Sequence, residues 1–235
     1  MRLLCQRIAQ KSNKEDETPG KFWQNRYRAV RLIDEEAILA CAAYVDLNPI
    51  RAGMAQTIED SQFTSARLRL QTSVDSTESV VPEVPTQSAS IQSSVEQSSP
   101  ESTQTTVGFK AAIGSFLGPV EIDELNDPLG ARPSASMYRC SDKGFLAMPT
   151  SAYLELLDWT ARQMVNGKRG ATPEDALPIF ERLKIKPAVW YELVTRFGKL
   201  FSLVAGQPHR VDEFRGRLRK NRYHLRQAAR ELLSV

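Results

Sequence analysis

The chain has 235 residues, 41% of them apolar, with a net charge of +3 and three cysteines. That is enough apolar material for a core in one or two domains, and no run approaches the roughly 20 apolar residues that cross a bilayer. Cys5, Cys41 and Cys140 are far apart with no C-x-x-C pair, which argues against a disulfide frame or a thiolate zinc site and points to free thiols in a reducing, cytoplasmic setting.

The opening MRLLCQRIAQK carries an apolar patch too short for the roughly 7–15 residues of a signal-peptide core. It reads as a helix over residues 2–11, followed by the polar loop KSNKEDETPG. GKFWQNRYRAVRL alternates bulky and basic residues and reads as a strand or extended segment. Asp34 is placed to cap a helix whose first turn holds Glu35 and Glu36, at the positive end of the helix dipole. That helix runs through AILACAAYV and stops near Leu47, because the residue before Pro49 disfavours the α region. Pro49 suits the first position of a second short helix, with Asn48 as its cap.

Residues 71–107 contain 24 Ser, Thr, Pro or Gln among 37, five acidic residues, and no Lys, Arg or aromatic side chain. Such a segment cannot bury enough apolar surface to offset its ordering entropy and reads as a disordered linker. It divides the chain into 1–70, the linker 71–107, and a helical, basic accessory domain over 108–235. In that last part TSAYLELLDWTARQMVNG has apolar residues at helical spacing and a glycine stop at Gly167. Thr172 to Asp175 reads as a helix start, Pro187 opens a helix through AVWYELVTRFGKLFSLVAG, and a single basic helix is expected over 211–233. The expected fold is mainly α with a small β contribution.

Two explanations of Tyr44 stand side by side. A tyrosine on an apolar helix buries its ring and lets its hydroxyl find a partner. Tyr44 and Asn48 are also four apart, so phenol and amide share a helix face and can act on one spot. Asn48 has its own alternative as a capping residue. Lys21, Arg26, Arg28 and Arg31 are interleaved with Phe22, Trp23 and Tyr27, and Arg51 follows. Basic residues neutralise phosphates and aromatics stack on unpaired bases, although the same pattern suits a solvated strand. The last helix clusters Arg215, Arg217, Arg219, Lys220, Arg222 and Arg226 beside a sparse stripe of Phe214, Leu218, Leu225 and Ala229. It reads as a nucleic-acid face, or as a solvated helix whose arginines pair with acidic neighbours. His209 and His224 read as surface residues. No phosphate loop, nucleotide fingerprint, H-E-x-x-H or G-x-S-x-G motif occurs.

The stretch GKFWQNRYRAVRLIDEEAILACAAYVDLNPIRAGMA, followed by SQFTSARLRL, resembles the tyrosine-bearing end of the HUH single-tyrosine transposases, in their REP-associated, insertion-sequence-200-like branch. The likeness rests on a YxxxNPxRAG block behind a GKFWQ segment and covers residues 1–70; SDKGFLAM and YLELLDWT are similar to the tails of the family's long form. The resemblance implies a remnant of an α+β ferredoxin-like catalytic domain. It implies that Tyr44 attacks a single-stranded DNA phosphodiester and forms a 5′-phosphotyrosine link. It implies Mg²⁺ or Mn²⁺ held by a His-x-His strand, with Asn48 completing the site, hairpin DNA as partner, and a homodimer.

The sequence departs from that pattern in having no His-x-His pair. In the family that strand lies upstream of the helix with which this chain begins, so Met1 matches an internal position, and a truncated gene or a start placed too late is expected. The expectation is therefore a transposase-like protein that binds single-stranded or hairpin DNA, cleaves it poorly and binds neither ion. The alternatives are a non-enzymatic module, binding DNA or protein, that regulates a full-length transposase, and a relic without function.

Overall fold

The computed structural model describes residues 2–23, 29–78, 116–123, 130, 132–134, 136–139, 141–166, 177–218 and 221–234. Among them the chain is mainly helical, with one two-stranded sheet. The elements in order are α1 (Arg2–Glu15), β1 (Arg31–Leu32), α2 (Glu35–Asp46), α3 (Asn48–Arg51), α4 (Ser65–Glu78), α5 (Thr150–Asn166), α6 (Leu177–Leu183), α7 (Pro187–Leu200), β2 (Val204–Ala205), α8 (Pro208–Leu218) and α9 (Gln227–Leu233). No helix among the described residues is long and apolar enough to cross a membrane.

Helix α2 begins as its sequence dictates. Asp34 is extended, and its carboxylate accepts from the Ala37 amide at 3.0 Å. The same carboxylate accepts from the Gln207 amide at 2.5 Å, so one side chain anchors the start of α2 and the approach to α8. The close approach needs a glycine next door. Gly206 has a φ of +153°, and a methyl there would lie 2.6 Å from Asp34 Oδ2.

Four expectations are corrected. The helix from Pro187 does not run through Gly206: it ends at Leu200, and Val204 and Ala205 pair in parallel with Arg31 and Leu32. Both β2 residues are buried, and pairing with β1 satisfies backbone groups there that would otherwise be buried without partners. The single basic helix over 211–233 is two helices, with residues 221–226 non-helical between them. The reversal lets Arg230 grip Asp212 through two bonds of 2.8 and 2.9 Å. In a continuous helix eighteen residues would hold them about 27 Å apart. Finally, α4 runs to Glu78, eight residues into the expected linker, while residues 79–107 lie outside the described residues. Helix α1 likewise runs past Lys11 to Glu15. The expected helix start over 172–175 and the stop at Gly167 lie outside the described residues.

The N-terminal and C-terminal parts, which the expected linker divides, share one hydrophobic core. Helix α2 packs on α7, and α3 and α4 pack on α5. Leu39 and Leu47 are as deeply buried as Leu156, Trp190 and Val194. A polar tie runs through this core. Tyr153 of α5 donates to Asp46 Oδ2 at 2.8 Å, and Ser65 of α4 donates to Asp46 Oδ1 at 2.5 Å. A buried carboxylate is costly unless hydrogen-bonded, and these donors supply that requirement. Burial, and then the Asp46 charge, push the Tyr153 phenol well above its ordinary value. Burial also raises the Cys41 thiol and lowers the nearby Arg69 guanidinium. Cys5 and Cys41 are free thiols; Cys140 lies outside the described residues.

Candidate nucleic-acid face around Tyr44

Tyr44 sits in the last turns of α2, half-buried. Its ring packs on Phe197 of α7, with centroids 5.6 Å apart. Leu47 ends α2 and turns the chain directly into α3, which brings Asn48 and Arg51 alongside the tyrosine. The Arg51 guanidinium lies 4.7 Å from the Tyr44 ring centroid, a cation–π arrangement. Its Nη2 is 3.5 Å from the Tyr44 hydroxyl and donates to Asn48 Oδ1 in a short hydrogen bond. Phenol, amide and guanidinium therefore meet on one face, as the spacing of Tyr44 and Asn48 suggests. Asn48 is not the cap of α3, however. That position is held by Leu47, without a side-chain cap bond.

The seat of the hydroxyl is a glycine that sequence reasoning passed over. A methyl at Gly198 would lie 2.9 Å from Tyr44 Oη, so the phenol rests against the α7 backbone. The signal was a glycine inside a strongly helical run, which costs helix stability unless something packs there.

Arginine offers five N–H donors, and the bonds to Tyr44 and Asn48 both use Nη2. Arg51 is exposed, so its other donors can take a phosphate oxygen. The face does not fit Mg²⁺ or Mn²⁺. Such ions need several oxygen ligands, whereas the Asn48 oxygen already accepts from a cation. Among the described residues, no three His, Cys, Asp or Glu side chains stand close enough to hold a metal. Asn48, expected as a ligand in the family pattern, is here the acceptor that orients Arg51.

The remaining expected DNA contacts are scattered. Lys21 and Trp23 are exposed; Trp23 stands edge-on to Phe22 at 4.8 Å and donates to the Cys5 carbonyl at 2.8 Å. Arg31 lies over Phe214 at 5.1 Å, so β1 and α8 meet there. Arg215 pairs with Asp212 at 3.7 Å. Arg222 lies over Tyr223 at 4.9 Å and donates to its hydroxyl at 2.9 Å. Arg26, Arg28, Arg219 and Lys220 lie outside the described residues. His209 and His224 are exposed. Compared with known proteins, the chain matches no family model, no curated protein and no solved structure.

Proposed function

We propose that this chain is a transposase-like DNA-binding protein that receives single-stranded or hairpin DNA at the Tyr44 face and does not cleave it efficiently. The observation that carries the reading is Arg51, set against both Tyr44 and Asn48 with donors left for a phosphate. On this reading residues 1–70 are the tyrosine-bearing end of an α+β, ferredoxin-like catalytic domain. Tyr44 is the matched nucleophile, but these residues offer no divalent ion to polarise the phosphodiester. Among the described residues Arg51 is the cation set against Tyr44, and it supplies binding rather than a route to strand transfer.

The test is an adduct assay with hairpin-bearing single-stranded DNA, run with Mn²⁺ and with EDTA, beside Tyr44→Phe. The expected result is salt-sensitive binding that Arg51→Ala weakens, with no covalent band. A metal-dependent band that disappears in Tyr44→Phe would show an intact nucleophilic site and overturn the claim of inefficient cleavage.

A second reading, a protein-interaction module, is favoured by one residue. Phe63 is 98% exposed at a φ of 62°, a backbone state that bulky residues rarely adopt. It precedes Thr64, whose hydroxyl caps α4 by accepting from the Arg67 amide at 3.3 Å. A Phe63→Ser chain that loses self-association or capture of a full-length transposase, while keeping its DNA affinity, would favour this second reading.

A further inference from the structure

A cleft of about 480 Å³ opens between β1 and α8, and its lining shares no residue with the contacts that seat Tyr44. Its size falls in the range of roughly 300–1,000 Å³ usual for small-ligand sites. Arg31, Arg210 and Arg217 line it together with Phe214, and Leu32 and Ile33 form an apolar wall. Glu213 also lines the cleft, but it is paired with Arg217 one turn on. Among the described residues Arg31 and Arg210 have no carboxylate partner, so two guanidinium charges remain uncompensated. Arg31 lies over the Phe214 ring, and the Phe214 and Tyr223 rings meet at 5.5 Å and 67°.

We infer that this cleft binds an unpaired nucleotide of a single strand, its phosphate on Arg210 and its base stacked against the Arg31–Phe214 pair. The inference rests on the reading that the chain binds nucleic acid and adds a second site to it. The chemistry selects the ligand. Uncompensated guanidinium groups call for an anion, and an aromatic ring beside an apolar wall calls for a flat, weakly polar surface. A nucleotide supplies both on one molecule. A duplex offers phosphates while its bases stay stacked on each other, so it leaves the ring and the wall unused. Arg31 contributes twice, since its planar guanidinium is a stacking surface as well as a charge. Its position follows from the pairing of β1 with β2, which sets the strand beside the helix that follows.

The test is fluorescence anisotropy on the full chain, with a labelled thymidine single strand of about 12 nucleotides and a duplex of the same length, over a salt series. The single strand is expected to bind more tightly than the duplex. Arg210→Ala should weaken binding and reduce the log–log salt slope by about 0.7. Phe214→Leu should weaken it about 5- to 100-fold with the slope unchanged. Arg31→Lys, which keeps the charge and loses the flat guanidinium, reads the same contact should Phe214→Leu unfold the chain. Equal affinity for single strand and duplex, or full affinity in both Phe214→Leu and Arg31→Lys, would reduce the cleft to a nonspecific basic surface and overturn the inference. The two sites separate cleanly. Hairpin binding lost in Arg51→Ala but kept in every cleft variant overturns the cleft alone. The opposite pattern overturns the Tyr44 reading and leaves the cleft standing.

Discussion

Replacing Gly198 by alanine sets two opposing effects against each other at one atom. An alanine in a helix interior is favoured over glycine by about 1 kcal/mol. The new methyl, however, would lie 2.9 Å from Tyr44 Oη, inside van der Waals contact. Overpacking of that kind costs about 1–3 kcal/mol. The net expectation for Gly198→Ala runs from about neutral to about 2 kcal/mol destabilising. Removing the hydroxyl changes the balance. In Tyr44→Phe the nearest remaining ring atom is Cζ, at 3.5 Å, an ordinary contact. In that background Gly198→Ala should stabilise by the helix term alone, about 1 kcal/mol. A double-mutant cycle by urea unfolding, followed by far-UV circular dichroism, reads the difference as a coupling of about 1–3 kcal/mol. If alanine shifts stability equally in both backgrounds, to within about 0.3 kcal/mol, the phenol is not seated on Gly198. The orientation of Tyr44 toward Arg51 would then have another cause.

Tyr153→Phe removes one of the two donors that hold the buried Asp46 and should cost about 1.5–3 kcal/mol in the same unfolding assay. The Tyr153 phenol also gives a pH signature. Burial raises its value in the folded chain, so its contribution is full below the ordinary phenol value of 10.0 and is lost as pH rises toward the raised value; Tyr153→Phe should flatten the alkaline fall in Tm. Asp212 has the opposite sign. Its hydrogen bond from Arg230 holds the carboxyl below its ordinary 3.8, so its contribution is present above that value and lost as pH falls through the lowered one. Asp212→Asn should therefore narrow the Tm difference between about pH 5 and about pH 2, and an unchanged acid profile would count against the α8–α9 tie. Asp34→Ala leaves the Ala37 and Gln207 amides without their carboxylate and should cost about 1–2 kcal/mol, with loss of the cap visible as reduced helicity.

Local chemistry was legible in the sequence wherever a side chain acts on its own backbone. Asp34 caps α2 and the spacing of Tyr44 and Asn48 places them on one face, whereas Pro49 stands second in α3 and not first, because Asn48 is helical instead of capping. Distant partners carried no such mark. Val204 and Ala205 look like the end of a helix until Arg31 and Leu32 are set beside them. The residues between Leu218 and Gln227 are basic and compatible with helix, yet the chain turns back there, which buries Leu225 and brings Arg230 to Asp212. Gly198 and Arg210 were missed for a related reason. Each matters only through a residue more than one hundred positions away in the chain, Tyr44 for the first and Arg31 for the second.

The pairing of residues 31–32 with 204–205 also sets a schedule for synthesis. When α2 leaves the ribosome, the surface it packs against, α7, has not yet been made. Between the end of α2 and the end of β2 lie roughly 160 residues, which at about 5–20 residues per second take roughly 8–30 s to appear. Through that interval Leu39, Ala40 and Ala43 face water or a chaperone. Residues 35–46 thus wait for residues 187–205, and a ribosome stalled before α7 is made would leave the α7-facing side of α2 uncovered.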